Sequence, residues 1–154
     1  MSNPIAREQE HQQSEEQLRL LQTITMEVAA ASDLRSALEI VLRDVCEKTG
    51  WVLGQAWVPN PDTGVLDLFA KWYCGDGELE AFRTLSEASH FKPGLGLPGR
   101  VWKSEQPAWI DDVTNAANFP RSPAARTAGL KTGVGIPILS RGKVIAVLEF
   151  FKYS

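Results

Sequence analysis

Apolar residues recur at helical spacing in the first third of the chain and at alternating spacing further on, which predicts helices first and strands later. Residues 1–14 are rich in Gln and Glu and predict a disordered polar leader. Residues 15–31 predict a helix whose apolar stripe has the 3-4-3 spacing of a coiled-coil seam or a docked helix. The residues of this expected dimer interface are Leu18, Leu21, Thr25 and Val28.

A second helix is predicted after Ser32 and Asp33, which supply an N-cap, and it closes near Gly50. Its apolar positions fall on one face and predict a helix packed against a core. These positions are Leu34, Leu38, Val41 and Val45. We expect this helix to belong to one domain that spans residues 32–154.

A hairpin is predicted next, with strands over residues 51–59 and 65–74 and a turn over residues 60–64, whose Asn, Pro, Asp and Gly favour tight reversal. Alternation along the second strand predicts one buried face and one solvent-exposed face, with Asp67 and Lys71 on the exposed face. The residues expected on the buried face are Leu66, Leu68, Ala70, Trp72 and Cys74.

The rest of the chain predicts short helices, an irregular excursion and a closing hairpin. The predicted elements are helices over 78–87 and 97–104, a strand over 107–110, an irregular segment over 111–131 with a short helix over 122–128, and strands over 132–139 and 144–151. Pro137 lacks a ladder donor and predicts an edge-facing position or a bulge. Together these elements predict an α+β domain with a single antiparallel sheet.

Composition narrows the classes of function. The chain has 154 residues, 44% of them hydrophobic and 23% charged, with a net charge of -3, which argues against a dedicated nucleic-acid-binding protein. No apolar run approaches the roughly 18 residues that a membrane span needs, so we expect no membrane insertion and a cytoplasmic location. Cys46 and Cys74 are isolated in sequence, which indicates packed thiols rather than a metal site or a disulfide.

The segment GLGLPGR at residues 94–100 matches the dinucleotide-binding pattern GxGxxG. That pattern requires a buried strand before the glycines, whereas residues 78–90 predict a polar helix and a loop. We therefore expect the glycines to turn the chain into a helix, with Pro98 in its first turn and with Val101 and Trp102 directed inward.

Several longer motifs in this order resemble a GAF domain: GLGLPGRVW at 94–102, PAWIDDV at 107–113, NFPR at 118–121 and GVGIPILSRGKVIAVLEFF at 133–151. The resemblance implies a six-stranded antiparallel sheet, with the N-terminal helices on one face and a small-molecule pocket under loops on the other. It also implies a noncatalytic sensory module of a bacterial signalling protein, such as a histidine kinase or a cyclic-dinucleotide enzyme. Such a module shares its polypeptide with an output domain, and its N-terminal helix joins a homodimer.

The same resemblance places several side chains around the pocket. Aromatic rings there would stack on a planar ligand, while Arg121 or Arg126 would clamp a carboxylate or phosphate and Asp112 would hold a polar edge. The expected ligand-binding residues are Trp72, Trp102, Trp109, Asp112, Phe119, Arg121, Arg126 and Thr132.

Other members of that family suggest alternatives. The segment 124–131 has neither the cysteine nor the histidine of bilin-binding members, and only His90 is eligible as a haem ligand, so we expect neither covalent bilin nor haem and leave the cofactor open. A free methionine sulfoxide reductase would need cysteines around the pocket loops, where this chain has none. The remaining alternative is a purely structural dimerisation module whose tryptophans fill the pocket.

Overall fold

The computed structural model describes residues 15–16, 18–22, 24, 33–73 and 79–153, with only the backbone of residues 72 and 73. The elements follow in the order α1 (Leu34–Lys48), β1 (Leu53–Asn60), β2 (Val65–Tyr73), α2 (Glu80–Glu87), β3 (His90–Phe91), α3 (Gly96–Ser104), β4 (Ala108–Ile110), a 3-10 turn (Val113–Asn115), α4 (Ser122–Ala128), β5 (Thr132–Ser140) and β6 (Lys143–Lys152). The described part of residues 15–24 is helical and is called the N-terminal helix below.

The strands form one antiparallel sheet in the order β3-β2-β1-β6-β5-β4, six in number within the described residues. This arrangement confirms the predicted α+β class with its six-stranded sheet. The hairpins β1–β2 and β5–β6 meet through β1 and β6, which makes these the central strands. Strand β3 lies at the end of the segment 78–90, which the sequence predicted as helix and loop. It was not predicted because a strand of two residues is too short to show an alternating pattern.

The sheet is covered on both faces. The first face carries α1 and the N-terminal helix, and the second carries α2, α3 and α4. Helix α1 begins where Asp33 accepts a hydrogen bond from the backbone N–H of Ser36 at 2.9 Å, as its predicted N-cap requires. Side chains at alternate positions of β1 enter the two cores in turn: Leu53 packs on the second face and Ala56 on the first.

A β-bulge overturns part of the predicted face of β2. In the register with β1, Ala70 lies opposite Ala56 and Leu68 lies opposite Trp57, so Phe69 is an extra residue. The extra residue reverses the alternation: Leu66 and Leu68 pack on the second face, but Ala70 packs on the first face against α1. The expectation that these three residues share a face is therefore wrong for Ala70, and the side chains of Trp72 and Cys74 lie outside the described residues.

The N-terminal helix packs on the first face of its own domain. Leu20 and Ile24 are buried there among residues of α1 and the sheet. Leu18, by contrast, is 56% exposed, and Leu21 is half-buried. Thr25, Val28 and the leader 1–14 lie outside the described residues, so the expected dimer interface stays a prediction.

Pro137 lies in the part of β5 that extends beyond β4, where the strand pairs only with β6. A residue without an N–H fits there because one edge of the strand has no ladder partner. Among the helices in the described part of the chain, none is both long enough and apolar enough to cross a membrane.

Candidate functional site

A buried ion pair occupies the interior between the sheet and α2–α4. Arg121 is 1% exposed and Glu149 0% exposed. Arg121 donates from Nη1 to Oε1 of Glu149 at 3.1 Å and from Nη2 to Oε2 at 2.6 Å. Nη1 also donates to Oε1 of Gln55 at 3.1 Å and to Oγ of Ser86 at 3.2 Å, while Nε1 of Trp57 donates to Oε1 of Glu149 at 2.7 Å. The two charges thus compensate each other directly in a bidentate pair.

Aromatic rings enclose this ion pair. The guanidinium carbon of Arg121 lies 4.9 to 5.7 Å from the centroids of five rings, a range in which cation–π attraction operates. These rings belong to Trp57, Phe82, Phe91, Phe119 and Phe151. We call the five rings together with Gln55, Ser86 and Glu149 the Arg121 cage.

The fit of Arg121 in this cage is incomplete at one atom. Its Nε is buried and has no hydrogen-bond partner among the described residues, although both terminal nitrogens are hydrogen-bonded. An unmade hydrogen bond on a buried donor costs roughly 1–3 kcal/mol. The cage therefore provides hydrogen-bond acceptors for the two terminal nitrogens of the guanidinium but none for Nε.

Arg121 reaches the cage from a loop that the glycine segment holds in place. Asn118 accepts a hydrogen bond from the N–H of Gly96 at 2.9 Å and donates to the carbonyl oxygen of Gly94 at 2.9 Å. Gly96 has a φ of 65°, and a Cβ there would lie 2.7 Å from the ring of Phe91, a wall of the cage. The glycines thus form the tight turn that the sequence predicted, and Gly96 packs against the cage. The described strands all pair antiparallel, so they do not provide the βαβ unit that the dinucleotide-binding pattern requires.

Trp109 lies on the opposite face of the sheet from the cage. Its ring stands edge-on to Trp51 at 5.6 Å between centroids. Nζ of Lys152 lies 4.7 Å from the Trp51 ring and 5.6 Å from the Trp109 ring, and it donates to Oε1 of Glu16 at 3.2 Å. These four residues, called the Lys152 clamp, attach the N-terminal helix to the sheet. The fold therefore does not bring Trp109 to the interior where the resemblance placed it.

Three further expected ligand residues stabilise the loop beside α4. Asp112 accepts from the N–H of Thr114 at 3.0 Å and from its hydroxyl, and these hydrogen bonds lower the pKa of Asp112 below its ordinary value. Arg126 donates to the carbonyl oxygen of Thr114 at 2.8 Å, and Thr132 donates to that of Asp111 at 3.4 Å. Their hydrogen bonds are local to this loop, so they shape the surroundings of the site.

The other two expected residues lie on different elements. Trp102 is half-buried on α3 and lines a surface groove of about 550 Å³ together with Pro59 and Val144. Trp72 pairs with Gly54 in the sheet, and its side chain lies outside the described residues. Of the eight expected residues, the fold places Phe119 and Arg121 in the cage, and whether any of them binds a ligand stays a prediction.

Sequence reasoning missed most of the cage. Gln55 and Glu149 are direct cross-strand partners in the β1–β6 register. Each is a polar residue inside an apolar strand, LGQAWV and AVLEFF, and such interruptions mark buried polar pairs. Phe82, Phe91 and Ser86 carry no comparable signal, because their meeting depends on how α2 and β3 fold over the sheet.

His90 lies on the outer edge of the sheet. Its Nδ1 is 2.6 Å from Oδ1 of Asp67, and Nδ2 of Asn60 donates to Oδ2 of Asp67 at 2.9 Å. The hydrogen bonds from Asn60 and His90 lower the pKa of Asp67. Cys46 is buried on α1, on the face opposite the cage. Within the described ranges, no three His, Cys, Asp or Glu side chains gather as a metal site requires.

The fold and the cage define a class: α+β domains in which one face of an antiparallel sheet supports helices and the other face, under loops and short helices, encloses a small interior. The sequence model of one family, described as GAF domain, matches residues 31–154. The chain belongs to the GAF domain family.

Known proteins are similar to this chain in sequence or in fold. Protein NLP3 of Arabidopsis thaliana is 26% identical over 128 residues, which cover 80% of this chain and 17% of that protein, so the chain spans about a sixth of its relative's length. The GAF domain of a phosphoenolpyruvate-protein phosphotransferase from Coxiella burnetii is 25% identical with a TM-score of 0.67, covering 89% of this chain and 77% of that one. Free methionine-R-sulfoxide reductase from Neisseria meningitidis has the same fold at 18% identity and a TM-score of 0.64, covering 87% and 71%.

Proposed function

We propose that the chain is a noncatalytic regulatory GAF domain of a larger signalling protein. In this proposal the domain binds a small molecule in the cage and transmits the change in the cage to the N-terminal helix. One observation carries this proposal. Strand β6 holds Glu149 in the cage on one face of the sheet and Lys152 in the clamp on the other, three residues further along.

The connection between the two sites is short and stiff. Beyond Glu149, β6 is held by backbone bonds on both sides: the N–H of Val52 donates to the carbonyl oxygen of Phe151 at 2.8 Å, and the N–H of Lys131 donates to that of Lys152 at 2.9 Å. A change in the cage that moves Glu149 therefore moves the same strand that carries the clamp. A ligand shifts this equilibrium only by its differential affinity for the two states of the cage.

The chemistry of the cage favours binding over catalysis. A nucleophile needs an adjacent base, whereas the hydroxyl of Ser86 faces the guanidinium of Arg121, which offers only donors. The resemblance of fold to a methionine sulfoxide reductase carries no activity to this chain, and Cys46 is buried on the other face. We retain the finer expectation of a bacterial histidine kinase or cyclic-dinucleotide enzyme as the parent protein, with a homodimer through the outward side of the N-terminal helix, where Leu18 is exposed.

The relay is tested by hydrogen exchange on the N-terminal helix. We expect Glu149→Gln to accelerate amide exchange over residues 18–24, since it perturbs the cage without touching the helix. Val147→Ala is the matched control, because Val147 lies on the same strand and the same face but is not a cage residue, and its truncation lowers stability while both charges of the ion pair remain. Exchange that rises equally in both variants, or in neither, would refute the relay.

Two further claims of the proposal, that the domain is noncatalytic and that it forms a homodimer, have separate tests. Turnover of free methionine sulfoxide by the purified chain would overturn the noncatalytic assignment. Replacement of Leu21 and Val28 by Glu should convert a dimer to a monomer in light scattering, and a dimer that persists would exclude this seam.

A further inference from the structure

We propose that the Arg121 cage is a receptor for small cations that carry a guanidinium or amidinium group, and that Arg121 occupies it as an internal ligand which such a molecule displaces. This inference rests on the proposed sensory function, since it names the ligand class of the same interior. The ligand in this proposal is a cation, whereas the sequence predicts an anionic ligand whose carboxylate or phosphate Arg121 would bind.

The polar groups around the guanidinium set this charge preference. Glu149 offers both carboxylate oxygens, and Gln55 and Ser86 present oxygen atoms that accept from Nη1. Five aromatic rings also surround the guanidinium, and their faces are electron-rich and attract cations. An anion in this position would meet a buried carboxylate and those same rings, and both would repel it.

The geometry selects a planar cation with paired N–H groups. The two terminal nitrogens of Arg121 meet the two oxygens of Glu149 in a bidentate pair, at 3.1 and 2.6 Å. An amidinium offers the same two nitrogens but has no counterpart to Nε, the buried atom of Arg121 that finds no partner in the described part of the chain. We therefore expect an amidinium to bind the emptied cage at least as tightly as a guanidinium of equal size.

Displacement does not leave a buried charge uncompensated. A ligand cation replaces Arg121 opposite Glu149, while the arginine side chain moves into water, where it is well solvated. Arg121 is attached where this exchange is feasible: it stands at the N-terminus of α4, a seven-residue helix whose buried side chains are the small Ala125 and Ala128. The loop and helix that carry Arg121 are thus held in part by the ion pair itself.

The first test uses the whole chain with Arg121→Ala. This change removes the side chain beyond Cβ, and ethylguanidine replaces the lost atoms. We expect millimolar ethylguanidine and acetamidine to raise the melting temperature of Arg121→Ala, with saturable binding in calorimetry. The matched control is Arg126→Ala, which removes an exposed arginine from the same helix and should show no such shift. Ethylurea, a neutral analogue, and nitrate, a planar anion, complete the set.

The second test uses the unaltered chain and so does not depend on the stability of a variant. Acetamidine is titrated while nuclear magnetic resonance follows the Nε–H of Arg121 and the indole N–H of Trp57, which donates to Glu149. We expect the Arg121 signal to shift to a solvent-exchanging position and the Trp57 signal to move in parallel, both saturably.

Two results would overturn the proposal. Stabilisation of Arg121→Ala by ethylurea or nitrate to the same degree as by the cations would remove the charge preference. The second result is stabilisation of Arg121→Ala by the cations while acetamidine leaves the Arg121 signal of the unaltered chain unchanged. It would show that Arg121 is a fixed structural element that no ligand displaces. Neither result bears on the hydrogen-exchange test of the relay, so the two proposals fail separately.

Discussion

Glu149→Gln tests whether the cage depends on charge compensation or merely on filled volume. Glutamine keeps the shape of the side chain and one oxygen that can still accept from Arg121 and Trp57. What it removes is the negative charge beside a guanidinium that is 1% exposed. Breaking a buried ion pair on one side leaves the other charge uncompensated, so we expect a loss of about 3–5 kcal/mol in the free energy of unfolding.

The predicted loss corresponds to a large thermal shift. For a domain of this size each kcal/mol lowers the melting temperature by roughly 2–4 °C, so Glu149→Gln should melt about 6–20 °C lower. The double replacement Arg121→Met with Glu149→Leu leaves no charge in the interior and keeps much of the volume. It should therefore lose less stability than either Arg121→Met or Glu149→Leu alone, even though Gln55 and Ser86 each lose a hydrogen bond to the arginine and Trp57 loses its hydrogen bond to Glu149.

Urea unfolding followed by tryptophan fluorescence and by circular dichroism measures these free energies. Coincident transitions with equal slopes establish that the variants unfold in two states. The unaltered chain, Arg121→Met, Glu149→Leu and the double variant form a mutant cycle, which gives the coupling between the two side chains. A loss below about 1 kcal/mol for Glu149→Gln would refute the reasoning, since it falls short of any buried-pair value. Additive losses in the double variant would refute it as well.

Three further predictions concern other parts of the chain. Gly99→Ala should lose about 1–3 kcal/mol in urea unfolding, because its Cβ would stand 2.3 Å from the carbonyl oxygen of Lys92; a gain in stability would contradict that contact. Leu20→Ala should release the N-terminal helix, at a local loss of about 2–3 kcal/mol visible as faster exchange over residues 18–24, whereas the exposed Leu18→Ala should change exchange little. Because the pKa of Asp67 lies below its ordinary value of 3.8 in the folded chain, this carboxylate stabilises the fold above pH 3.8, and the benefit disappears as the pH falls through the lowered pKa. Melting curves of Asp67→Asn and the unaltered chain should accordingly differ at pH 7 and converge in acid, and a constant difference would exclude this carboxylate as the cause.

Much of the fold follows from local patterns in the sequence. Alternating and helical spacings predicted α1, both hairpins and the short helices, because these periods arise from the geometry of single elements. The one-residue bulge at Phe69 could not be predicted, since Leu66, Leu68 and Ala70 keep alternate spacing in the sequence and the extra residue is visible only in the pairing with β1. The same limit hid β3, whose two residues join the sheet through contacts distant in sequence.

The candidate site divides in the same way. The sequence by itself determined that the glycines turn the chain before α3 and that the motifs belong to a GAF domain, whereas the polar interruptions at Gln55 and Glu149 were visible in it and were missed. Only the tertiary structure decided that Arg121 turns inward to meet Glu149, 28 residues further along the chain, and that Trp109 packs on the opposite face of the sheet. The reason is physical: local periodicity settles which face a residue occupies, but the partner it meets there depends on strand register and on the path of the loops, which are set by contacts far apart in sequence.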